Sequence, residues 1–171
     1  MPHLTPDWRG LHPIIVHFSI LLLLATPLLV LVSVGVSDAK RWLLWRWALA
    51  LMVLGTAMTY VALLTGEAER EVVISGLTSS GLLEEHRSLG ETTTELFSVL
   101  TLVFAALVIA HKLLEQSLDS WVTTSLLVAF LVFYGTGAVS LVDTARKGAS
   151  LVQMLSAPTA VTCNLTAKGG R

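Results

Sequence analysis

Histidine offers the most versatile chemistry in this sequence, and three of the five histidines lie near the starts of long apolar segments. His12 and His17 lie at the start of the first apolar segment, and His86 lies at the start of the third. An ionisable side chain in a membrane segment is costly unless it is paired or functional, and a neutral imidazole is a common ligand of haem iron. We therefore predict that His17 and His86 are the axial ligands of a b-type haem, with His12 as the competing ligand on the first helix.

The heights of these histidines along their helices leave the choice on the first helix open. His17 lies about 28 Å from Val36 along the axis of the first helix, and His86 lies about 39 Å from Lys112 along the axis of the third. The offset of roughly 10 Å must be absorbed by helix tilt, whereas His12 lies more nearly level with His86. His12 and His17 are about 140° apart around a regular helix, so they are not expected to bind one metal together.

Small residues accompany the histidines on neighbouring helical turns. His86, Gly90 and Thr93 share one face of the third helix, and a glycine one turn from a histidine leaves space beside the ring for a flat macrocycle. A second stripe of small residues follows one face of the second helix: Gly55, Thr59, Ala62 and Gly66. Close helix packing and a cofactor cavity explain this second stripe equally well.

Two carboxylates lie on a different face of the third helix. Glu91 and Glu95 are one turn apart, and Glu95 is about 180° from His86 around the helix axis. In one interpretation they pair with Arg87, Arg146 or water at the membrane surface. In the other they form a proton or quinone site coupled to redox chemistry.

The composition defines the elements that must position these side chains. Of 171 residues, 54% are hydrophobic and 13% are charged, and the mean hydropathy is +0.75, so too few polar groups exist to cover a water-exposed globule. The net charge of −1 with scattered basic residues excludes a nucleic-acid-binding protein. Cys163 is the only cysteine, which excludes a disulfide within the chain. We interpret His3 and His111 as interfacial residues bonded to carbonyls.

Four apolar runs are long enough to cross a bilayer, since a span needs roughly 20 residues. We predict an all-α integral membrane four-helix bundle with up-down-up-down topology and both termini on the same side. The first run is longer than a signal-peptide core and lacks a cleavage site, so it is expected to remain as an anchor. The predicted division is an N-terminal segment at 1–10, helices at 11–36, 42–65, 82–112 and 120–142, a loop at 66–81, and a C-terminal tail at 143–171.

Basic residues predict the orientation of the bundle. The two short turns on the side opposite the termini carry Lys40, Arg41, Arg46 and Lys112 with few acidic residues. Short basic loops remain on the cytoplasmic side of a membrane. The sequence therefore predicts that both termini are periplasmic.

The segment LHPIIVHFSILLLL, from Leu11 to Leu24, resembles the opening signature of a bacterial membrane family, domain of unknown function 2231. That signature is His-Pro, two or three apolar residues and then Val-His-Phe-Pro, and Ser19 replaces its final proline here. The stretches LLTGEAE and EEHRSLGE are also similar, so the resemblance covers residues 11–142. It implies a four-helix domain in the bacterial inner membrane. Some relatives are fused to, or encoded with, c-type cytochrome domains, which indicates electron transfer.

Three functions are compatible with these patterns. The preferred one is a membrane electron-transfer subunit that binds b-type haem between helices 1 and 3, with a c-type cytochrome or membrane-complex subunits as partners. The alternative is a noncatalytic structural subunit of a respiratory or photosynthetic complex, which packs against partner helices with or without haem, quinone or pigment. The third is a small proton-coupled carrier, although the sequence lacks an inverted repeat. Without a catalytic triad order or a phosphate loop, independent catalytic activity is not expected.

Overall fold

The computed structural model describes residues 11–74, 80–113 and 120–156. All regular secondary structure in these ranges is helical, which confirms the all-α prediction. The four helices are α1 at Leu11–Val34, α2 at Asp38–Ile74, α3 at Ser80–Leu113 and α4 at Ser120–Ser156.

Each helix contains a segment long and apolar enough to cross a membrane. The four segments are Leu11–Val34, Ala39–Glu67, Gly81–Leu113 and Trp121–Gln153. Large apolar side chains cover the outer faces, as with Leu64 and Leu102, which are 73% and 71% exposed. These helices indicate a multi-pass membrane protein whose outer faces contact lipid.

A short turn at 35–37 joins α1 to α2, and Arg41 stabilises it. The Arg41 guanidinium donates from Nε to the carbonyl of Ser33, at 3.2 Å, and from Nη2 to that of Val36, at 3.4 Å. The last carbonyls of a helix lack partners within the helix, so a basic side chain from the next helix satisfies them.

Within the described residues, the helices form a ring in which α1 packs against α2 and α4, and α3 packs against the same two helices. The diagonal partners α1 and α3 do not pack directly against each other in that part of the chain. Large buried side chains fill the centre of the ring, chiefly Leu23, Trp45, Phe97, Phe104 and Tyr134.

Hydrogen bonds tie the polar ends of the core aromatic residues to α1. Trp45 donates from Nε1 to Oγ of Ser33 at 2.9 Å, and the Tyr134 hydroxyl donates to the carbonyl of Leu23 at 2.6 Å. His111 packs edge-on against Trp45 with ring centroids 4.8 Å apart, and its buried Nδ1 has no hydrogen-bond partner among the described residues. His111 is therefore a half-buried residue near the end of α3 that packs against Trp45, and it lacks the carbonyl hydrogen bond that the sequence predicted.

Two helices are longer than predicted. The second continues to Ile74 instead of ending at Thr65, and the fourth continues to Ser156 instead of ending at Val142. The extension of α2 contains three Glu and that of α4 contains two Ala and two Leu, residues that favour helices, whereas membrane hydropathy alone ends each helix too early. The rest of the predicted loop and tail, the N-terminal segment at 1–10 and Cys163 lie outside the described residues.

A candidate cofactor cavity lined by two histidines

A cavity of about 470 Å³ lies between residues from all four helices. Its lining includes His12 and Ser19 of α1, Thr59 of α2, His86 of α3 and Thr144 of α4. The ring arrangement leaves this space because the diagonal helices α1 and α3 stand apart in the described part of the chain. The cavity therefore lies where a ligand can contact both of them.

The imidazole of His12 is oriented by α2. Its Nδ1 lies 2.9 Å from the carbonyl oxygen of Ala62 and 3.2 Å from Oγ1 of Thr65. A carbonyl only accepts, so Nδ1 carries the proton and the neutral ring keeps a lone pair on Nε2. A Cβ at Gly66 would lie 3.1 Å from Cε1 of this ring, so glycine provides the room that the ring occupies.

The imidazole of His86 packs against α4. A Cβ built at Gly148 would lie 3.0 Å from Cε1 of His86, closer than side chains normally pack, so only glycine fits there without displacing the ring. Nδ1 of His86 is buried and has no hydrogen-bond partner among the described residues. The packing of the ring against α4 therefore leaves this nitrogen without a hydrogen bond in the described structure.

Unsatisfied polar atoms concentrate in this cavity. Only three buried side-chain nitrogen or oxygen atoms of the described residues lack a hydrogen-bond partner, and those of Ser19 and His86 belong to the cavity lining. Ser19 is 2% exposed. A buried polar group left without a partner costs about 1–3 kcal/mol, so a polar ligand atom or water would stabilise both.

A cluster of hydroxyls joins α3 to α4 beside His86. Oγ1 of Thr93 lies 2.8 Å from Oγ of Ser140 and 3.0 Å from Oγ1 of Thr144. On the part of the same face of α3 that is turned towards α2, a Cβ at Gly90 would lie 3.2 Å from the side chain of Leu63. These contacts hold α3 between α2 and α4 and thereby fix the position of His86.

Ion pairs link the helices where the cavity meets the surface. Nε of Arg87 lies 3.0 Å from Glu91 on the same helix and 3.6 Å from Glu67 of α2. Lys147 of α4 donates to Glu85 of α3 at 2.7 Å. All five side chains are substantially exposed, so each pair contributes at most about 1 kcal/mol.

The structure brings His12, and not His17, together with His86. His17 is exposed on the outer face of α1, and its Nδ1 lies 2.6 Å from the carbonyl oxygen of Pro13. The physical reason is the spacing of five residues, which directs only one of His12 and His17 towards the interior. The prediction that places His17 beside His86 is therefore wrong in position, because His12 and His86 line this cavity and His17 does not.

The other predicted site residues divide between the cavity and its surroundings. Thr59 lines the cavity, whereas a Cβ at Gly55 would lie 2.8 Å from the Leu23 side chain, so Gly55 serves helix packing. Glu91 lines the cavity, and Glu95 is exposed outside its lining. The remaining predicted residues that line the cavity are Ala62, Gly66, Gly90 and Thr93.

The sequence prediction omits the contribution of α4 because it ends that helix at Val142. Leu141, Thr144, Gly148 and Leu151 all line the cavity. They are spaced three, four and three residues apart, which is the periodicity of one helix face. That spacing is the signal in the sequence that extends α4 beyond Val142.

The donor set at this site is a pair of imidazoles. Among the described residues, no group of three or more histidine, cysteine or acidic side chains could hold a metal ion. Haem iron, in contrast, needs only one or two axial ligands from the protein because the macrocycle supplies the others. His12 and His86 therefore fit haem better than a free metal ion.

Comparisons of the chain with protein-family models, with characterised proteins and with solved structures give no match.

Proposed function

We propose that the chain is a membrane electron-transfer subunit that holds b-type haem between α1 and α3, with His12 and His86 as the axial ligands. One observation carries this proposal: the imidazoles of His12 and His86 line the same cavity, although α1 and α3 do not pack together in the described part of the chain. The cavity volume of about 470 Å³ lies within the range of cofactor sites, roughly 300–1,000 Å³.

The surroundings of both imidazoles fit a ligating role. A ligating histidine usually donates its second ring N–H to a carbonyl, as Nδ1 of His12 does to Ala62. Gly66 and Gly148 lie beside the two rings and leave room for their orientation. Bound haem would supply one-electron chemistry at its iron, and the chain would orient it and exclude lipid and water from it.

The proposal includes the up-down-up-down topology. The start of α1 contacts the later part of α2 through His12 and Thr65, and the end of α1 contacts the early part of α2 through Ser33 and Trp45. These contacts support an antiparallel pair. We also propose periplasmic termini in a bacterial inner membrane, supported by the short basic turns.

The resemblance to domain of unknown function 2231 supports a role within a larger redox system. We propose membership of that family and, from the cytochrome domains of some relatives, a c-type cytochrome as the redox partner. The exposed apolar faces of the four helices suit lipid and partner helices equally.

An absorption spectrum of the protein purified with haem supplied tests the proposal. We expect haem bands in the wild type and their loss in His12→Ala and in His86→Ala. His17→Ala is the matched control, because His17 is exposed on the same helix, and it should keep the bands. A wild type without haem would refute the cofactor, and loss of the bands in His17→Ala but not in His12→Ala would refute the ligand assignment.

A further inference from the structure

A second site candidate lies on the outer face of α2, remote from the histidine cavity. Arg46 is exposed there, at one end of a shallow groove of about 500 Å³. The remainder of the groove is apolar and is lined by Leu49, Ala50, Val53, Leu54 and Ala57. The two exposed alanines form the groove because their neighbours carry larger side chains.

Neighbouring contacts define the level of Arg46 in the bundle. Trp45, the preceding residue, donates to Ser33, which lies next to the last residue of α1 at Val34. Trp47, the following residue, is 59% exposed, and exposed tryptophans favour the membrane–water boundary. Arg46 therefore lies at the boundary where α1 ends.

The charge of Arg46 has no counterpart in the described part of the chain, where no ion pair or hydrogen bond of its guanidinium is observed. Arg41, five residues earlier, differs because it donates to the carbonyl of Ser33 at the end of α1 and to that of Val36 in the following turn. An arginine within an apolar helix face requires an anionic or polar partner. A phosphate matches the planar fork of a guanidinium in charge and geometry.

The length of the groove fits an acyl chain of one membrane leaflet. Arg46 and Ala57 are eleven residues apart, which is about 16 Å along a helix. Half of the hydrocarbon core of a bilayer is about 15 Å. The groove therefore extends from the boundary to the middle of the membrane.

We propose that Arg46 and this groove bind an anionic phospholipid, with the lipid phosphate on the guanidinium and one acyl chain along Ala50 and Ala57. An anionic headgroup is preferred over a zwitterionic one, because its net negative charge attracts a basic side chain at the membrane surface. The site is independent of haem, since its residues lie outside the cavity lining.

Native mass spectrometry can count the lipids retained by the whole chain after transfer from nanodiscs that contain equal amounts of phosphatidylglycerol and phosphatidylcholine. We expect the wild type to retain phosphatidylglycerol preferentially, and Arg46→Gln to reduce this retention about fivefold. Ala57→Leu should also reduce it, because the larger side chain fills the groove while the charge remains. Lys40→Gln is the matched control, because Lys40 is exposed on the same helix outside the groove.

Each outcome decides the proposal. Equal retention of the two lipids in the wild type would identify non-specific lipid contact and overturn it. Unchanged phosphatidylglycerol retention in Arg46→Gln would also overturn it, as would an equal loss in Lys40→Gln, which would indicate surface charge alone. Because the substituted residues are exposed, circular dichroism should give wild-type helicity in all variants.

Discussion

The two ends of the helix ring are built from the same four helices but are packed differently. At what we call the packed end, Val30, Trp45, Met52, Phe104 and Phe130 are almost completely buried and fill the space between the helices. Phe104 and Phe130 stack with their centroids 4.9 Å apart. Large complementary side chains exclude voids there, so this end supplies the packing energy of the bundle.

The other end, the cavity end, is lined by His12, Ser19, Gly66, His86 and Gly148. Small residues there leave volume unfilled, and two polar atoms remain without partners in the described structure. Such an arrangement is less stable than a filled core, and proteins retain it where a ligand completes the site. The packed end therefore accounts for the stability of the bundle, and the cavity end is where we propose the cofactor site.

The most severe loss of stability should come from a truncation at the packed end. Phe104→Ala should destabilise the protein by about 3 kcal/mol, because the truncation leaves a cavity among rigid neighbours. Reversible unfolding in a bilayer-mimicking micelle measures this change. Leu102→Ala, at a 71% exposed position on the same helix, is the control and should change the stability little. Equal losses in the two variants would contradict a packed core at this end.

The next largest effect concerns haem binding in the cavity instead of the stability of the fold. Gly148→Leu should displace His86 and reduce haem retention at least about tenfold, which corresponds to about 1.4 kcal/mol. Titration of the apoprotein with haem measures the change. Gly135→Leu is the control on the same helix, because a Cβ there meets no described atom within 4 Å. If both variants bind haem as the wild type does, the packing of Gly148 against His86 does not limit the site.

Two buried serines of α1 give a smaller and more direct test of how the two ends differ. Ser33 is 0% exposed and accepts from Trp45, whereas Ser19 is 2% exposed and has no partner in the described structure. Ser33→Ala should lower the stability of the haem-free protein by about 1 kcal/mol. Ser19→Ala should raise it by a similar amount, because an unsatisfied hydroxyl is removed. A lower stability of Ser19→Ala in the same unfolding assay would indicate that ordered water already satisfies Ser19.

The weakest effect concerns the ion pairs at the cavity surface. Lys147→Gln removes the partner of Glu85, and the expected loss of stability is below about 1 kcal/mol because the pair is exposed. The difference from the wild type should disappear in about 1 M salt, where charges are screened within about 3 Å. A difference that persists in high salt would assign Lys147 a packing role.

The helix count followed from hydropathy because a backbone in lipid must satisfy its hydrogen bonds locally. The rotation of α1 about its axis did not follow from hydropathy, because α1 is apolar on all sides and its pattern does not distinguish the inner from the outer face. The sequence could therefore predict that only one of His12 and His17 faces the interior of the bundle, but it could not identify which one. The role of Gly148 depends on its contact with His86 of α3. Contacts between residues far apart in the sequence leave no local periodic pattern, so the sequence did not predict this one.

The hydrogen bond from His12 to Ala62 restricts the motion of α1 as a whole. An apolar cylinder in lipid can turn about its own axis at little cost, because each rotation exposes a similar surface. Near its first residues α1 is anchored to α2 by this imidazole, and near its last residues by the indole of Trp45 through Ser33. These two directional hydrogen bonds at opposite ends of α1 therefore fix the rotation of this apolar helix about its own axis.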